Sequence, residues 1–521
     1  MQSFVEIRKG NMLYVDKTGF IPPLLSLGKY IFLGRPRRFG KSLFMSTLET
    51  YFKGMKEYFT GLEICKQESD WYSYPVIHLD FSTVEASSPG MLRENITTLL
   101  KMCAAQYEVQ VDELDHSVGL GFRALMQRLS EKFGRNTVVL IDEYDVPVHG
   151  ISSDSQLYHE NSNLLRTLLQ QCKAADQYIK FCFVTGVARF NQVNLFSGPN
   201  NFRDISLHEA FSSVCGFTHK ELEHYFGVSI DRFAAETSSP VKTIKDKLAS
   251  YYDGYRFTEK DEKVFNPLSL LLSLSDHKFD SYWANTGITS LFITHLTKQS
   301  FQLPEITEKW YEKEALTKIY DPSDPVSLMF QTGYLTVADF DRELDMYRMR
   351  IPNQEVMKSL TQDLIPAYMG KAPDSENMQL SALRIALVKG EPYKIKEILQ
   401  DILSGIAYHL FPKGNTTHEY KENYYHTMVY LVFMMIRSNV LCEKPSAKGR
   451  MDMVAQTEKY IYIFEFKMDS AMDGTAQDAI KQINQKEYAR QYENTGKKIF
   501  KIGVVFSATN HDIAEWVCAE N

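Results

Sequence analysis

The stretch Ile31-Phe32-Leu33-Gly34-Arg35-Pro36-Arg37-Arg38-Phe39-Gly40-Lys41-Ser42 decides how this chain is read. An apolar run, a tight polar turn and then Gly-Lys-Ser opening a helical segment (LFMSTLETYF) is the order strand, phosphate-binding turn, helix. The N–H groups of such a turn, together with the helix N-terminus, favour bound phosphate. Lys41 is spaced to reach β- and γ-phosphates, and the Ser42 hydroxyl to hold Mg2+. The candidate cofactor-binding residues here are Arg37, Arg38, Phe39, Gly40, Lys41 and Ser42. The usual spacing, GxxxxGK[ST], asks for glycine at position 35; Arg35 stands there, and the glycine comes one residue earlier, at Gly34. Alone, Gly-Lys-Ser also fits a surface turn before a helix.

A second element supports the nucleotide reading. Thr137-Val138-Val139-Leu140-Ile141-Asp142-Glu143 is an apolar strand ending in two acids. Acids at the C-terminal end of a buried strand emerge where an open α/β sheet binds ligands. Asp142 suits Mg2+ coordination through water, and Glu143 suits polarising an attacking water. The run Phe181–Val184 ends in Thr185-Gly186, so Thr185 can orient water or sense the γ-phosphate. Arg189, shortly after, could add positive charge in the transition state, on its own nucleotide or on a neighbouring copy's; the second case implies a homo-oligomer. Tyr30–Leu33, Val76–Phe81, Val138–Ile141 and Phe181–Val184 are continuous apolar strands separated by helical stretches. They predict an α/β fold with a parallel sheet covered on both faces.

The totals agree with a globular protein of several domains. The chain has 521 residues and a net charge of -7, from 58 basic and 65 acidic residues. That balance excludes a basic nucleic-acid coat but not a nucleic-acid enzyme, which needs only a local basic patch such as Arg35-Pro36-Arg37-Arg38. The seven cysteines form no CxxC and several lie in apolar runs, which predicts reduced buried thiols and no structural zinc. The N-terminus lacks an apolar signal core, and Val429 to Ile436 is too short to cross a bilayer, so a cytoplasmic protein with no membrane partner is expected. Composition and turn signals predict an ATPase core over 1–210, a helical lid over 211–294, a largely helical linker over 295–404, and an α/β module over 405–521.

In that last module, Gly449-Arg450-Met451-Asp452-Met453-Val454 and Tyr460-Ile461-Tyr462-Ile463-Phe464-Glu465-Phe466-Lys467 are separated by a polar turn. Alternation puts Glu465 and Lys467 on one strand face, and hairpin pairing brings Asp452 beside them. Two acids can hold a divalent metal through oxygen. Lys467 can position or deprotonate water, or stabilise charge. Asp452, Glu465 and Lys467 are therefore candidate catalytic residues, with Glu143 in the first domain. Asp452 and Glu465 are candidate metal ligands, as are Ser42 and Asp142. An amphipathic hairpin with an exposed acid–base pair has the same spacing. On the following helix, Gln482, Lys486, Tyr488 and Tyr492 could place polar groups over the site. His426 and Glu422 could each add a ligand or serve as cap and surface residues.

Together with Leu13-Tyr14-Val15-Asp16-Lys17-Thr18, Asp142-Glu143-Tyr144-Asp145, Thr185-Gly186-Val187 and Tyr252-Asp253-Gly254-Tyr255, these segments resemble the AAA-ATPase-like family of gut bacteria, whose C-terminal part is a PD-(D/E)XK nuclease-like domain. The resemblance implies an arginine as the family's habit at position 35. It also implies ATP and Mg2+ at the first site, Mg2+ or Mn2+ at the second, and DNA as partner. A related nuclease group carries Gln and Tyr four apart on the following helix; here Lys486 stands four after Gln482. The chain begins close to the Tyr-Val-Asp-Lys-Thr motif, which leaves room for a preceding segment. The implied function is ATP binding and hydrolysis coupled to a metal-dependent nuclease. The alternative is a nucleotide-dependent switch or scaffold whose nuclease-like domain only binds nucleic acid or a protein.

Overall fold

The computed structural model describes residues 3–148, 151, 155–187, 202–283, 306–307, 309–317, 325–369, 377–406, 418–436, 439–446, 449–469, 474–507 and 509–520. The chain divides into two compact units, Met1–Gly287 with Trp310–Val356, and Ile288–Lys309 with Met357–Asn521.

The first unit is built on a parallel sheet of β1 (Tyr30–Gly34), β2 (Val76–Asp80), β3 (Thr137–Asp142), β4 (Ile179–Gly186) and β5 (Arg203–Asp204), in the order β2-β3-β4-β1-β5. The four strands expected from apolar runs are all present. β3 is buried at every position, as a strand covered on both faces must be. One face packs on α1 (Lys41–Phe52), with Phe44 on Phe183 and Phe52 on Phe181. The other meets α2 (Pro89–Gln106), α3 (Val118–Phe133) and α4 (Gln156–Ala174), where Ile77, Val139 and Val184 join Leu92, Phe122 and Leu168 in one core. Ser88, Ser117 and Ser155 each accept a hydrogen bond from an N–H in the first turn of these helices, and so fix where they start. Because every strand runs the same way, the C-terminal ends of β1, β3 and β4 all lie on one edge.

The helices expected over 211–294 are α5 (His219–Glu236), α6 (Val241–Tyr252) and α7 (Pro267–Asp276), packed around Phe226, Ile230, Leu248 and Leu270. Thr218 and Glu221 form a reciprocal capping box at the start of α5. The segment expected to be largely helical over 295–404 also carries a small sheet. It contains β6 (Trp310–Glu312), β7 (Thr336–Asp341) and β8 (Met346–Arg350), an antiparallel sheet ordered β6-β8-β7, with α8 (Pro325–Thr332) before β7. In β8 buried Tyr347 and Met349 alternate with charged residues, the period of a half-buried strand. Further helices of that segment are α9 (Gln354–Met369), α10 (Asn377–Lys389) and α11 (Pro392–Ser404).

In the second unit, α12 (His418–Met435) precedes β9 (Asn439–Ser446), β10 (Gly449–Gln456) and β11 (Tyr460–Met468). Then come α13 (Ala476–Gln485), β12 (Lys498–Ser507) and β13 (Asp512–Glu520). The sheet order is β13-β12-β11-β10-β9, with β11 and β12 parallel and the other pairs antiparallel. α13 lies directly on Gly503 of β12, where an added Cβ would meet the Ala476 carbonyl oxygen at 2.1 Å. No helix among the described residues is long and apolar enough to cross a membrane.

Candidate functional site

The phosphate loop joins β1 to α1. Gly40 takes φ +96°, a left-handed conformation that suits glycine, and Arg38 is held at φ +69°. The N–H groups of Arg38, Phe39 and Gly40 donate to no described acceptor. With the open first turn of α1, they form a cradle of free donors. The buried Lys41 ammonium lies across this cradle, donating to the carbonyl oxygens of Arg35 (3.0 Å) and Pro36 (3.3 Å) and pairing with Glu143 Oε1 at 3.3 Å. Ser42 opens the same helix and is half-buried.

The acids from β3 meet the loop from the side. Asp142 is buried; its Oδ1 accepts the Thr185 hydroxyl and the Glu143 N–H (3.1 Å). Thr185 thus reaches the site across the β3–β4 ladder, where the sequence placed it. Glu143 leaves the strand at φ +50°, a strained conformation for a non-glycine residue, and among the described residues its buried Oε2 has no hydrogen-bond partner. Arg38 and Glu143 are therefore both held in a costly backbone conformation. Lys41, Ser42, Asp142, Glu143 and Thr185 come together. Arg189 lies outside the described residues.

Two loop residues do something other than expected. Arg35, read as part of a local basic patch, is only 2% exposed and donates to carbonyl oxygens inside the protein. Phe39 is buried with its ring edge-on to Tyr255, so its side chain is an anchor and only its N–H is available to a phosphate. Arg37 is half-buried and Arg38 exposed. The remaining signature residues brace this arrangement. Lys17 is buried against Glu221 of α5 (2.7 Å) and the Ser213 carbonyl oxygen, and burial pushes its ammonium below the usual lysine range. Asp253 holds His219 at 2.8 Å, and this contact raises the imidazole's pKa. Asp145 Oδ2 accepts the Val187 N–H at 3.0 Å and ties β3 to β4.

The C-terminal module brings its three predicted residues together. Asp452 Oδ2 accepts the Phe466 N–H at 2.7 Å, fixing the acid at the end of the β10–β11 ladder. Glu465 is 2% exposed on β11. Gln482 of α13 donates to Glu465 Oε1 and accepts from Lys467 Nζ at 2.9 Å, so one amide bridges the acid and the lysine. Burial, and then the neighbouring Asp452, push the Glu465 carboxyl well above the usual carboxylate range. Among the described residues its Oε2 has no hydrogen-bond partner. His426 on α12 is neither cap nor surface residue. Its ring packs on Phe466, its Nε2 lies 4.0 Å from Asp452 Oδ2 with no hydrogen-bond partner among the described residues, and burial lowers its pKa to about 4. Glu422, one turn earlier, is close enough to act electrostatically on both His426 and Glu465. Tyr488 and Tyr492 belong to the core beneath α13 and not to the site.

Among the described residues no set of three or more His, Cys, Asp or Glu side chains converges to chelate an ion. Even so, a divalent cation fits the two-acid site. The orphaned Oε2 of Glu465 and the repulsion between the two acids are what a cation relieves, with water and a substrate phosphate filling its other positions. The amide bridge was within reach of the sequence, since Gln482 follows an ExK strand on an amphipathic helix. The Arg35 and Phe39 anchors were not, because Ser206, Phe211, Tyr255 and Phe257, on which they rest, lie far along the chain.

A parallel sheet ordered β2-β3-β4-β1-β5, with a phosphate loop after β1 and paired acids after β3, defines a P-loop nucleotide-binding domain. The second unit carries a two-acid and lysine site on a mixed sheet. The family described as predicted AAA-ATPase matches residues 1–196, and the PD-(D/E)XK nuclease superfamily matches residues 420–516. A protein of Azotobacter chroococcum mcd 1, described as an uncharacterized protein in the vnfD 5' region, is 31% identical over 523 residues, spanning 99% of this chain and 97% of its own. The chain belongs to the AAA-ATPase-like family, with a C-terminal PD-(D/E)XK nuclease-superfamily domain.

Proposed function

We propose that the chain binds and hydrolyses ATP at the phosphate loop, and that its C-terminal module cuts DNA. The observation that carries the first part is the buried Lys41, held on two loop carbonyls and Glu143 beside a row of free N–H donors. On nucleotide binding, Lys41 exchanges these partners for β- and γ-phosphate oxygens. Ser42 and Asp142 would hold Mg2+, which would neutralise phosphate charge. Glu143, released from Lys41, takes a proton from the attacking water, and Thr185 keeps Asp142 in place. In the second site Asp452 and Glu465 would hold the divalent cation, Mg2+ or Mn2+, which would polarise the scissile phosphate. Gln482 holds Lys467 beside Glu465, where its ammonium can steady developing negative charge. Nucleotide state gates the nuclease.

Lys486, standing four after Gln482 where a related nuclease group carries Tyr, favours a second reading, a nucleotide-dependent switch or scaffold whose nuclease-like domain only binds nucleic acid or a protein partner. Phosphate release from ATP by the wild type, lost in Lys41→Ala, tests the first part. Under the switch reading, ATP turnover persists while every nucleic acid offered stays intact.

A further inference from the structure

The phosphate loop of this chain is shaped from outside. Arg35 occupies the position where such loops carry glycine, and its buried guanidinium donates to the carbonyl oxygens of Ser206 (2.6 Å), Gly34 (3.0 Å) and Phe211 (3.0 Å). These contacts are neutral. The remaining face lies 4.4 Å from the centre of the Phe257 ring. A desolvated guanidinium on an aromatic face is a strong, directional contact. The same Phe257 ring meets Phe39 edge-on at 5.4 Å, at the other end of the loop. Between them, Pro36 abuts Gly333, where an added Cβ would stand 2.9 Å from the proline Cβ. Arg256 and Thr336 exchange hydrogen bonds of 2.6 and 2.9 Å, so the strip bearing Phe257 and the one following Gly333 move as one piece.

We propose that Phe257 is the positioning residue of the phosphate loop. It grips Arg35 and Phe39 together and so sets the curvature that turns the N–H groups of Arg38, Phe39 and Gly40 toward phosphate. The loop's arginine is thus an anchor seated on that ring, in place of the freedom a glycine supplies. The proposal rests on the ATP reading above.

The test uses the full chain, titrated with a fluorescent ATP analogue in Mg2+ and assayed for ATP turnover. Phe257→Leu is expected to weaken nucleotide binding roughly tenfold and raise KM by a similar factor, the scale of one lost desolvated cation–π contact. The expected kcat at saturation is unchanged, and Phe257→Tyr, which keeps the ring face, binds like the wild type. Should Phe257→Leu not fold, Arg35→Lys, which keeps the charge but not the planar stack, carries the same expectation. Folded variants that bind as tightly as a binding-competent wild type overturn the positioning role alone. A wild type that binds no nucleotide overturns the ATP reading and this proposal with it.

Discussion

Replacing Glu143 by Gln separates two consequences of one contact. The Glu143 carboxylate lies 3.3 Å from the Lys41 ammonium, with side chains only 16% and 2% exposed. At an effective dielectric constant of about 20, that separation corresponds to about 5 kcal/mol of Coulomb attraction, most of it offset by desolvation of the two groups. ATP must draw Lys41 out of this pair before the lysine can serve the phosphates. The amide keeps the shape and loses the charge, so the lysine is released at lower cost. A net gain of roughly 1–2 kcal/mol in nucleotide binding corresponds to about five- to thirtyfold tighter affinity. The same change removes the group that takes the water's proton, and hydrolysis should fall by roughly a hundredfold to ten-thousandfold. Calorimetric titration with ATP and single-turnover phosphate release measure the two effects separately. Weaker binding, or turnover left at the wild-type rate, refutes the reasoning.

Two other sites carry sharp expectations. Glu355 is buried with three donors on one oxygen, Ser269 Oγ and the Tyr282 and Trp283 N–H groups, while its Oε2 has no hydrogen-bond partner; burial raises its pKa from 4.5 to about 7. A pKa raised by folding stabilises the fold fully below the unfolded value, and that stabilisation is lost as pH rises through about 7. At about 1.4 kcal/mol per unit the loss is about 3 kcal/mol. Urea unfolding at pH 5 and pH 8 should show Glu355→Gln abolishing most of this difference. Gly503→Ala drives a Cβ into the Ala476 carbonyl, cannot be absorbed by a flexible side chain, and should destabilise the second unit by roughly 1–3 kcal/mol while pulling Gln482 away from Glu465 and Lys467. Unchanged unfolding of that variant would contradict the close packing.

Much of the architecture was legible because buried parallel strands are written as unbroken apolar runs. Thr137–Asp142 shows both its burial and its functional end in the order of its residues. Asp452, Glu465 and Lys467 were legible for the related reason that strand alternation fixes which side chains share a face. The sheet within 310–350 was not. Its strands are short and half-buried, and they interleave arginine and aspartate with Tyr347, Met349 and Val337, so no apolar run marks them. Arg35 was counted in a local basic patch because composition records charge and not direction. Its satisfaction inside the protein depends on the Ser206 and Phe211 carbonyls and on Phe257, which only the tertiary fold supplies. His426 shows the same limit: the residue sits on a polar-looking stretch of α12, yet the helix turns it onto Phe466.

The central claim is that one chain joins an ATP-driven site to a working nuclease. The most direct measurement incubates the protein with plasmid, linear and single-stranded DNA in Mg2+ or Mn2+, with and without ATP, beside Lys41→Ala and Lys467→Ala. The account predicts cleavage by the wild type, its loss in Lys467→Ala, and a dependence on ATP that disappears in Lys41→Ala. DNA left intact by a wild type that turns over ATP, or cleavage that survives Lys467→Ala, would contradict it.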